Sequence, residues 1–413
     1  MIETDLTVHA FEFTEEALLT SRAPTEAASK SGSIGRTIAI ALPCPAGGGA
    51  ERVMLDLAVE FQRAGHRVLF FVGIDEGEFR EEVKSQFEMI SLGTTQGRKM
   101  LLPLVRAIQK HRPDAILAGL WPLTAISIVA AKLSRTNCRV VVSDHNLLSI
   151  QYRDWGLLHR VFLRLSIAMT YRLADGCVGV SKGVVDDISR LGNLPNCQMT
   201  MIHNPIRSPV LIQPGSPKLI GLVWDDRFGK RILAVGSFKK VKNFSMLIEA
   251  FALLCDRVNA QLTILGDGTL RKELEQTARE CGVHKRVHMP GFQTDLAPYY
   301  QTADLFVLSS DNEGFGNVLV EALACGVPIV ATDCPTGPRE ILENGQFGKL
   351  VPVGDAVTLS SAMERELDNH SDCESLIRRA AEFKPEVAAT KYLNLLFNSA
   401  VSSTIATSVD IAK

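Results

Sequence analysis

The sequence predicts an α/β protein of two similar-sized domains, each a parallel sheet covered by helices. Three observations carry this expectation. The chain has 413 residues, 46% hydrophobic and 22% charged, a globular balance at a length suited to two or three domains. Continuous apolar runs alternate with helical stretches, the pattern of strands buried on both faces. A strand, a glycine turn and a helix also occur in each half, in TIAIALPCPAGGGAERVMLDL and again in QLTILGDGTLRKEL.

Residues 1–35 are rich in Glu, Thr, Ser and Ala without sustained periodicity and read as a mobile tail. Their acidic start lacks the basic and apolar regions of an export signal. The regular pattern begins at Thr37 with TIAIAL (37–42), RVLFFVGI (67–74), CRVVVS (138–143) and MTMIHN (199–204). After the first strand, Val53, Met54, Leu57, Ala58 and Phe61 mark one face of a helix, which stops where Gly65 suits a C-cap. The longest uncharged run, 115–131, is shorter than the ~20 residues of a spanning helix and contains Gly119 and Pro122, so it reads as a buried strand followed by a buried helix. Pro205, Pro209, Pro214, Gly215 and Pro217 then interrupt the pattern, giving a first domain over 36–206 and a linker over 207–230. Alternation resumes with RILAVG (231–236), QLTILG (261–266), RVHMPG (286–291), DLFVLS (304–309) and VPIVAT (327–332), a second domain over 231–372. C-terminal helices follow within 373–400, able to pack back on the first domain, and 401–413 read as a tail.

Composition excludes several classes. Forty-four basic against 46 acidic residues give a net charge of −2, so no global field draws nucleic acid and none is expected as a partner. Nine cysteines, odd in number and never in a C-x-x-C pair, fit neither a disulfide scaffold nor a zinc ribbon and read as reduced thiols of a cytoplasmic protein. His284 and His288 flank a strand without a third ligand, so no metal and no cofactor is assigned.

The chemistry concentrates in SSDNEGFGNVLVEALACGVPIV (309–330). A strand ends near Ser310, a loop carries Glu313, Gly314 and Gly316 free the backbone, and a helix begins near Asn317 with Glu321 in its early turns. Seven residues separate two carboxylates, with helix-terminal N–H groups between them. That arrangement suits a ligand with hydroxyls at both ends and negative charge in the middle, a nucleotide-sugar. Gly47–Gly48–Gly49 follow the first strand and open a helix, a second place for an anion, although the spacing is not a dinucleotide fingerprint.

With these stretches together, the chain resembles a family 4 glycosyltransferase of the GT-B type, whose signature is Glu, seven residues, Glu. The resemblance runs from about Thr37 to Phe397 and is most specific over 234–355, in ILAVGSFKKVKNFSMLIEAFALL, LTILGDGTLRKELE, VHMPGFQTDLAPYYQTADLFVLSS, EGFGNVLVEALACGVPIVATDCPTGPREIL and GKLVPVGD. It implies two facing Rossmann-like domains with a nucleotide-sugar in the cleft, and a retaining hexosyltransferase that needs no metal. By this resemblance Glu321 holds the ribose, Glu313 and the Gly314–Phe315–Gly316 backbone meet the donor sugar, and the Asn317 and Val318 amides meet the diphosphate. Lys242 is the phosphate-binding lysine, Gly48 and Gly49 close on the phosphates, and His145, past a strand end, contacts the donor sugar. It also implies a uridine diphosphate donor carrying a hexose or N-acetylhexosamine, and a glycan or lipid-linked acceptor in surface polysaccharide or lipopolysaccharide synthesis.

The family's Arg after the VG glycine is Ser237 here, so Lys239 or Lys240 would have to turn inward to replace its charge. A nucleotide-sugar epimerase and a nucleotide-sugar-binding protein with lapsed catalysis are the alternatives. His203 reads as a structural hinge, and 333–340 as either an acceptor determinant or a turn capped by Glu340. Finally, 153–172 joins Arg153, Arg160, Arg164 and Arg172 with bulky apolar residues and no acid after Asp154. It reads as a peripheral contact with an anionic membrane, on its inner cytoplasmic face, or as a helix whose Leu158, Val161, Phe162 and Leu165 face a protein core.

Overall fold

The apolar runs form two parallel sheets in the computed structural model, which describes residues 35–195, 198–207, 221, 223–225, 227–369 and 372–397. The first sheet is built from β1 (Thr37–Leu42), β2 (Arg67–Val72), β3 (Glu88–Ser91), β4 (Ala115–Gly119), β5 (Arg139–Asp144), β6 (Gly176–Gly179) and β7 (Met199–Met201). Its order among the described residues is β3-β2-β1-β4-β5-β6-β7. The second sheet comprises β8 (Lys230–Val235), β9 (Ala260–Leu265), β10 (Val287–Gly291), β11 (Leu305–Leu308), β12 (Ile329–Thr332) and β13 (Lys349–Val351), in the order β10-β9-β8-β11-β12-β13. All pairings are parallel, with Ile40 opposite Phe70 and Leu117 in the first sheet and Leu233 opposite Thr263 and Phe306 in the second. In each, strand order reverses beside the first strand, and open α/β sheets form ligand crevices at such reversals.

Side-chain alternation decides which core each residue joins. Ile38, Ile40 and Leu42 pack with Val53, Leu57 and Phe61 of the Gly49–Arg63 helix, while Ala39, Ala41, Leu69 and Phe71 face Leu104 and Ile108 of the Gly97–His111 helix. Each fully buried side chain of this size contributes ~1.5–3 kcal/mol, and truncation of Phe61 to Ala would cost ~3–5 kcal/mol. The second sheet buries Phe251 and Leu254 of the Phe244–Cys255 helix against Ile232 and Ile264.

The C-terminal segment is not one continuous helix. Helix Cys373–Ala380 and a short 3-10 turn, Ala381–Phe383, end at Lys384, which is extended with ψ 147° because the following Pro385 disfavours helical backbone. Helix Pro385–Phe397 then starts afresh and packs on the first sheet's side, burying Ala388, Ala389, Tyr392 and Leu396 beside the Gly49–Arg63 helix. The tail readings at 1–34 and 401–413, and most of the 207–230 linker reading, lie outside the described residues.

Candidate active site

The strand–loop–helix unit that ends β11 brings four functional groups together. Glu313 is buried, and its Oε1 accepts hydrogen bonds from Lys242 Nζ at 2.6 Å and Ser310 Oγ at 2.6 Å. Lys242 reaches it from a 3-10 turn, Lys240–Lys242, which is pinned by Ser309 Oγ donating to the Lys242 carbonyl at 2.8 Å. Gly316, with φ 102°, precedes the Asn317–Ala324 helix, a left-handed conformation open to glycine at little cost. Asn317 and Val318 supply the first amides of that helix, which lack intrahelical partners by geometry. Glu321 lies one turn on and accepts from the buried Tyr300 hydroxyl at 2.7 Å. Burial raises the Glu321 carboxyl above its ordinary range, opposed by the Tyr300 hydrogen bond and by the charge of Arg52 across the cleft.

The facing edge comes from the first sheet. His145 follows β5, is buried, and pairs through Nε2 with Ser143 Oγ at 3.2 Å. Burial lowers its pKa to about 4, so the ring is neutral at pH 7. Gly314 lies against it so closely that a Cβ there would stand 1.8 Å from the His145 carbonyl oxygen, which explains the glycine. Asn317 links the lobes, its Oδ1 accepting from Asn204 Nδ2 at 2.8 Å and its Nδ2 donating to the Gly49 carbonyl at 3.4 Å. Ser181 Oγ also crosses the cleft, donating to the Gly314 carbonyl at 2.7 Å.

The glycine loop carries acids. The Gly47 amide donates to Glu78 Oε2 at 2.8 Å, and a Cβ on Gly48 would collide with the Glu51 carboxylate, whereas one on Gly49 would stand 3.2 Å from Asn317 Nδ2 of the facing lobe. Ser237, Lys239 and Lys240 are exposed; Lys239 acts electrostatically on Glu51, across the cleft. His203 stacks on Phe315 with ring centroids 5.2 Å apart and stands 3.4 Å from Glu340. Both Glu340 carboxylate oxygens accept from the Lys182 amide at 3.1 Å, so this acid caps the Lys182–Gly192 helix of the other lobe rather than its own turn. His284 precedes β10 and His288 lies within it; among the described residues no group of three or more metal-ligating side chains occurs. Among the described residues the cysteines form no disulfide.

Tyr300, Ser310, Asn204 and Arg52 were not legible from the sequence. Their partners lie 3 to more than 100 residues away and follow no motif spacing.

Two facing parallel-sheet lobes, with a carboxylate pair flanking a helix terminus between them, define a GT-B glycosyltransferase. The model described as Glycosyltransferase Family 4 matches residues 47–208, and that described as Glycosyl transferases group 1 matches residues 228–383. The chain belongs to the family 4 glycosyltransferases, a family of retaining hexosyltransferases. It is 29% identical over 264 residues to the Campylobacter jejuni N-acetylgalactosamine-N,N'-diacetylbacillosaminyl-diphospho-undecaprenol 4-alpha-N-acetylgalactosaminyltransferase, covering 63% of this chain and 68% of that protein. It is 36% identical over 170 residues to the lipopolysaccharide core biosynthesis glycosyltransferase LpsE of Rhizobium meliloti, covering 40% of this chain and 49% of that one. The match thus spans about two thirds of the first relative and half of the second. Anabaena HepE, solved in complex with UDP, superposes with a TM-score of 0.72 at 20% identity over 87% of this chain and 99% of its own.

Proposed function

We propose that this protein transfers a hexose or N-acetylhexosamine, with retention of configuration, from a UDP-sugar to a glycan or lipid-linked acceptor in surface polysaccharide synthesis. The observation that carries the reading is the Lys242–Glu313 pair, held at 2.6 Å on one side of the Asn317 helix start, with Glu321 on the other. Glu321 is the ribose acceptor, the Asn317 and Val318 amides and Lys242 take the diphosphate, and Glu313 with the Gly314–Gly316 backbone meets the sugar. As the bond from the anomeric carbon to the β-phosphate oxygen breaks, negative charge grows on that oxygen. A fixed ammonium and helix-terminal amides stabilise it more than they stabilise the intact donor. The same oxygen takes the acceptor hydroxyl's proton, and attack from that face retains configuration. Relatives named for lipid-linked and lipopolysaccharide acceptors, and a structural neighbour holding UDP, support the donor and acceptor classes.

The helix Leu157–Thr170 supports work at a cytoplasmic membrane face. Leu158 is 84% exposed and Phe162 61%, with Val161 and Leu165 also exposed, so these four do not face a protein core; Leu163 and Ile167 fill that role. Arg153, Arg160, Arg164 and Arg172 are exposed around them. No described helix is long and apolar enough to cross a membrane. The test is a panel of nucleotide-sugars incubated with a lipid-linked oligosaccharide extract, scored for nucleoside diphosphate release. Release that depends on both a UDP-sugar and the extract supports the reading. No release from any donor, or an epimerised donor without acceptor, overturns it.

A further inference from the structure

Two consecutive peptide groups of the donor loop turn their carbonyls the same way. The Gly314 carbonyl oxygen accepts from Ser181 Oγ at 2.7 Å and from Thr336 Oγ1 at 3.0 Å, and because a carbonyl can only accept, the sense of both bonds is fixed. Both hydroxyls belong to buried residues. The next carbonyl, that of Phe315, lies against Gly337, where a side chain would collide with it and where a φ of 91° suits glycine. A trans peptide is planar with its C=O and N–H on opposite edges, so the Phe315 and Gly316 amides leave the loop on the side away from Thr336 and Gly337. Among the described residues neither amide donates to a backbone carbonyl. They run directly into the Asn317 and Val318 amides of the helix start, which lack intrahelical partners.

The two hydroxyls come from different lobes. Ser181 caps helix Lys182–Gly192 of the first lobe, and Thr336 belongs to 333–340 of the second, the segment whose sequence suits either an acceptor determinant or a capped turn. Glu340 holds that helix start against the turn by accepting from the Lys182 amide at 3.1 Å, and Gly183 permits the approach, since a side chain there would run into Thr336. We propose that Ser181 and Thr336 are positioning residues for the donor loop, and that Glu340 in turn positions Ser181. By fixing the Gly314 carbonyl from behind, the hydroxyls aim the Phe315 amide before the donor arrives, so it meets a donor oxygen without the peptide turning over. The segment 333–340 thereby serves the donor loop rather than the acceptor. One of the two hydroxyls is supplied across the cleft, so opening the lobes removes half of this support. What concerns the donor here rests on the proposed contact of the Gly314–Gly316 backbone with the sugar; the orientation of the peptide does not.

Two readouts test it on the full chain. Protein labelled with carbonyl carbon-13 in glycine and nitrogen-15 in phenylalanine gives correlated signals only from Gly–Phe peptides, of which the sequence has two, Gly291–Phe292 and Gly314–Phe315. The signal lost in Phe292→Leu belongs to the first, so the other reports the donor loop. Its carbonyl resonance should move upfield in Ser181→Ala and in Thr336→Val and further in the double variant, whereas Thr336→Ser, which keeps the hydroxyl, should hold the parent position. In assays with the UDP-sugar that supports turnover, each hydroxyl-removing change should lower kcat about threefold and the two together about tenfold, the range of ordinary hydrogen bonds. Ser181→Ala combined with Thr336→Ser should turn over like Ser181→Ala alone. UDP carries no sugar, so its affinity by calorimetry should stay within about twofold. A Gly314 carbonyl resonance unmoved in the double variant, or turnover there equal to the parent's, overturns the proposal. So does a fall in UDP affinity that matches the fall in turnover, because that is the signature of lobes that no longer pack. The carbonyl spectrum needs no donor, so failure of the transferase reading and failure of the positioning are separately visible.

Discussion

Replacing Glu321 with Ala removes the proposed acceptor for the ribose hydroxyls and leaves the buried Tyr300 hydroxyl without its 2.7 Å partner. Donor affinity should fall by ~1.5–3 kcal/mol, the range for hydrogen bonds to a charged group, and titration calorimetry with UDP measures it. Binding within twofold of the parent would refute the ribose assignment. Lys242→Ala should act differently, because an ammonium aimed at the leaving phosphate matters most once that phosphate has developed its charge. Turnover should fall by more than donor affinity does, and an unchanged turnover number with only a raised Michaelis constant would exclude the role. The same change strands the Glu313 carboxylate, 9% exposed and bonded otherwise to Ser310, so a modest loss of stability should accompany it.

The exposed helix Leu157–Thr170 carries its own prediction. Basic residues near an anionic surface contribute ~1 kcal/mol each, so Arg160→Glu with Arg164→Glu should release the protein from anionic vesicles in co-sedimentation while UDP binding is unchanged. Parent protein that stays in solution, or a variant that still sediments, would remove this helix as an anchor. The contrast between this helix and the site helix shows where sequence is informative. Asn317–Ala324 was legible because a strand, two glycines and two spaced carboxylates are local features, and each keeps its meaning without the rest of the fold. The fate of Leu158 and Phe162 was not, since an apolar stripe at helical spacing looks the same over a core and over solvent. Tyr300 and Asn204 were illegible for another reason: each acquires its role from a partner distant in sequence that only the folded chain brings near.

At the scale of the whole molecule, buried titratable groups couple protonation to stability. Asp144, at the end of β5, is fully buried; burial raises its pKa to about 7, partly opposed by the Tyr171 hydroxyl donating to Oδ1 at 3.1 Å. The native state therefore holds a proton on this group that the unfolded chain, titrating near 3.8, has already released. Its contribution should fall as pH rises from about 4 to about 7 and level off above. Neighbouring His145 works in the opposite sense, losing stability as pH falls from 6.5 toward about 4, so the parent profile is a compromise between them. Denaturant melts of the parent and Asp144→Asn isolate the first effect: stability of the parent relative to the variant should decline between pH 5 and pH 7. A constant difference would show that Asp144 is ionised throughout.

In the proposed reaction the donor's β-phosphate oxygen both leaves and takes the acceptor's proton on one face of the sugar. The anomeric configuration of the product is the most direct measurement of that claim. An α-linked UDP-sugar that supports turnover, incubated with the lipid-linked extract and followed by proton NMR, should yield an α-linked product, while donor incubated alone stays unchanged. A β-linked product, or an epimer of the donor formed without acceptor, would contradict it.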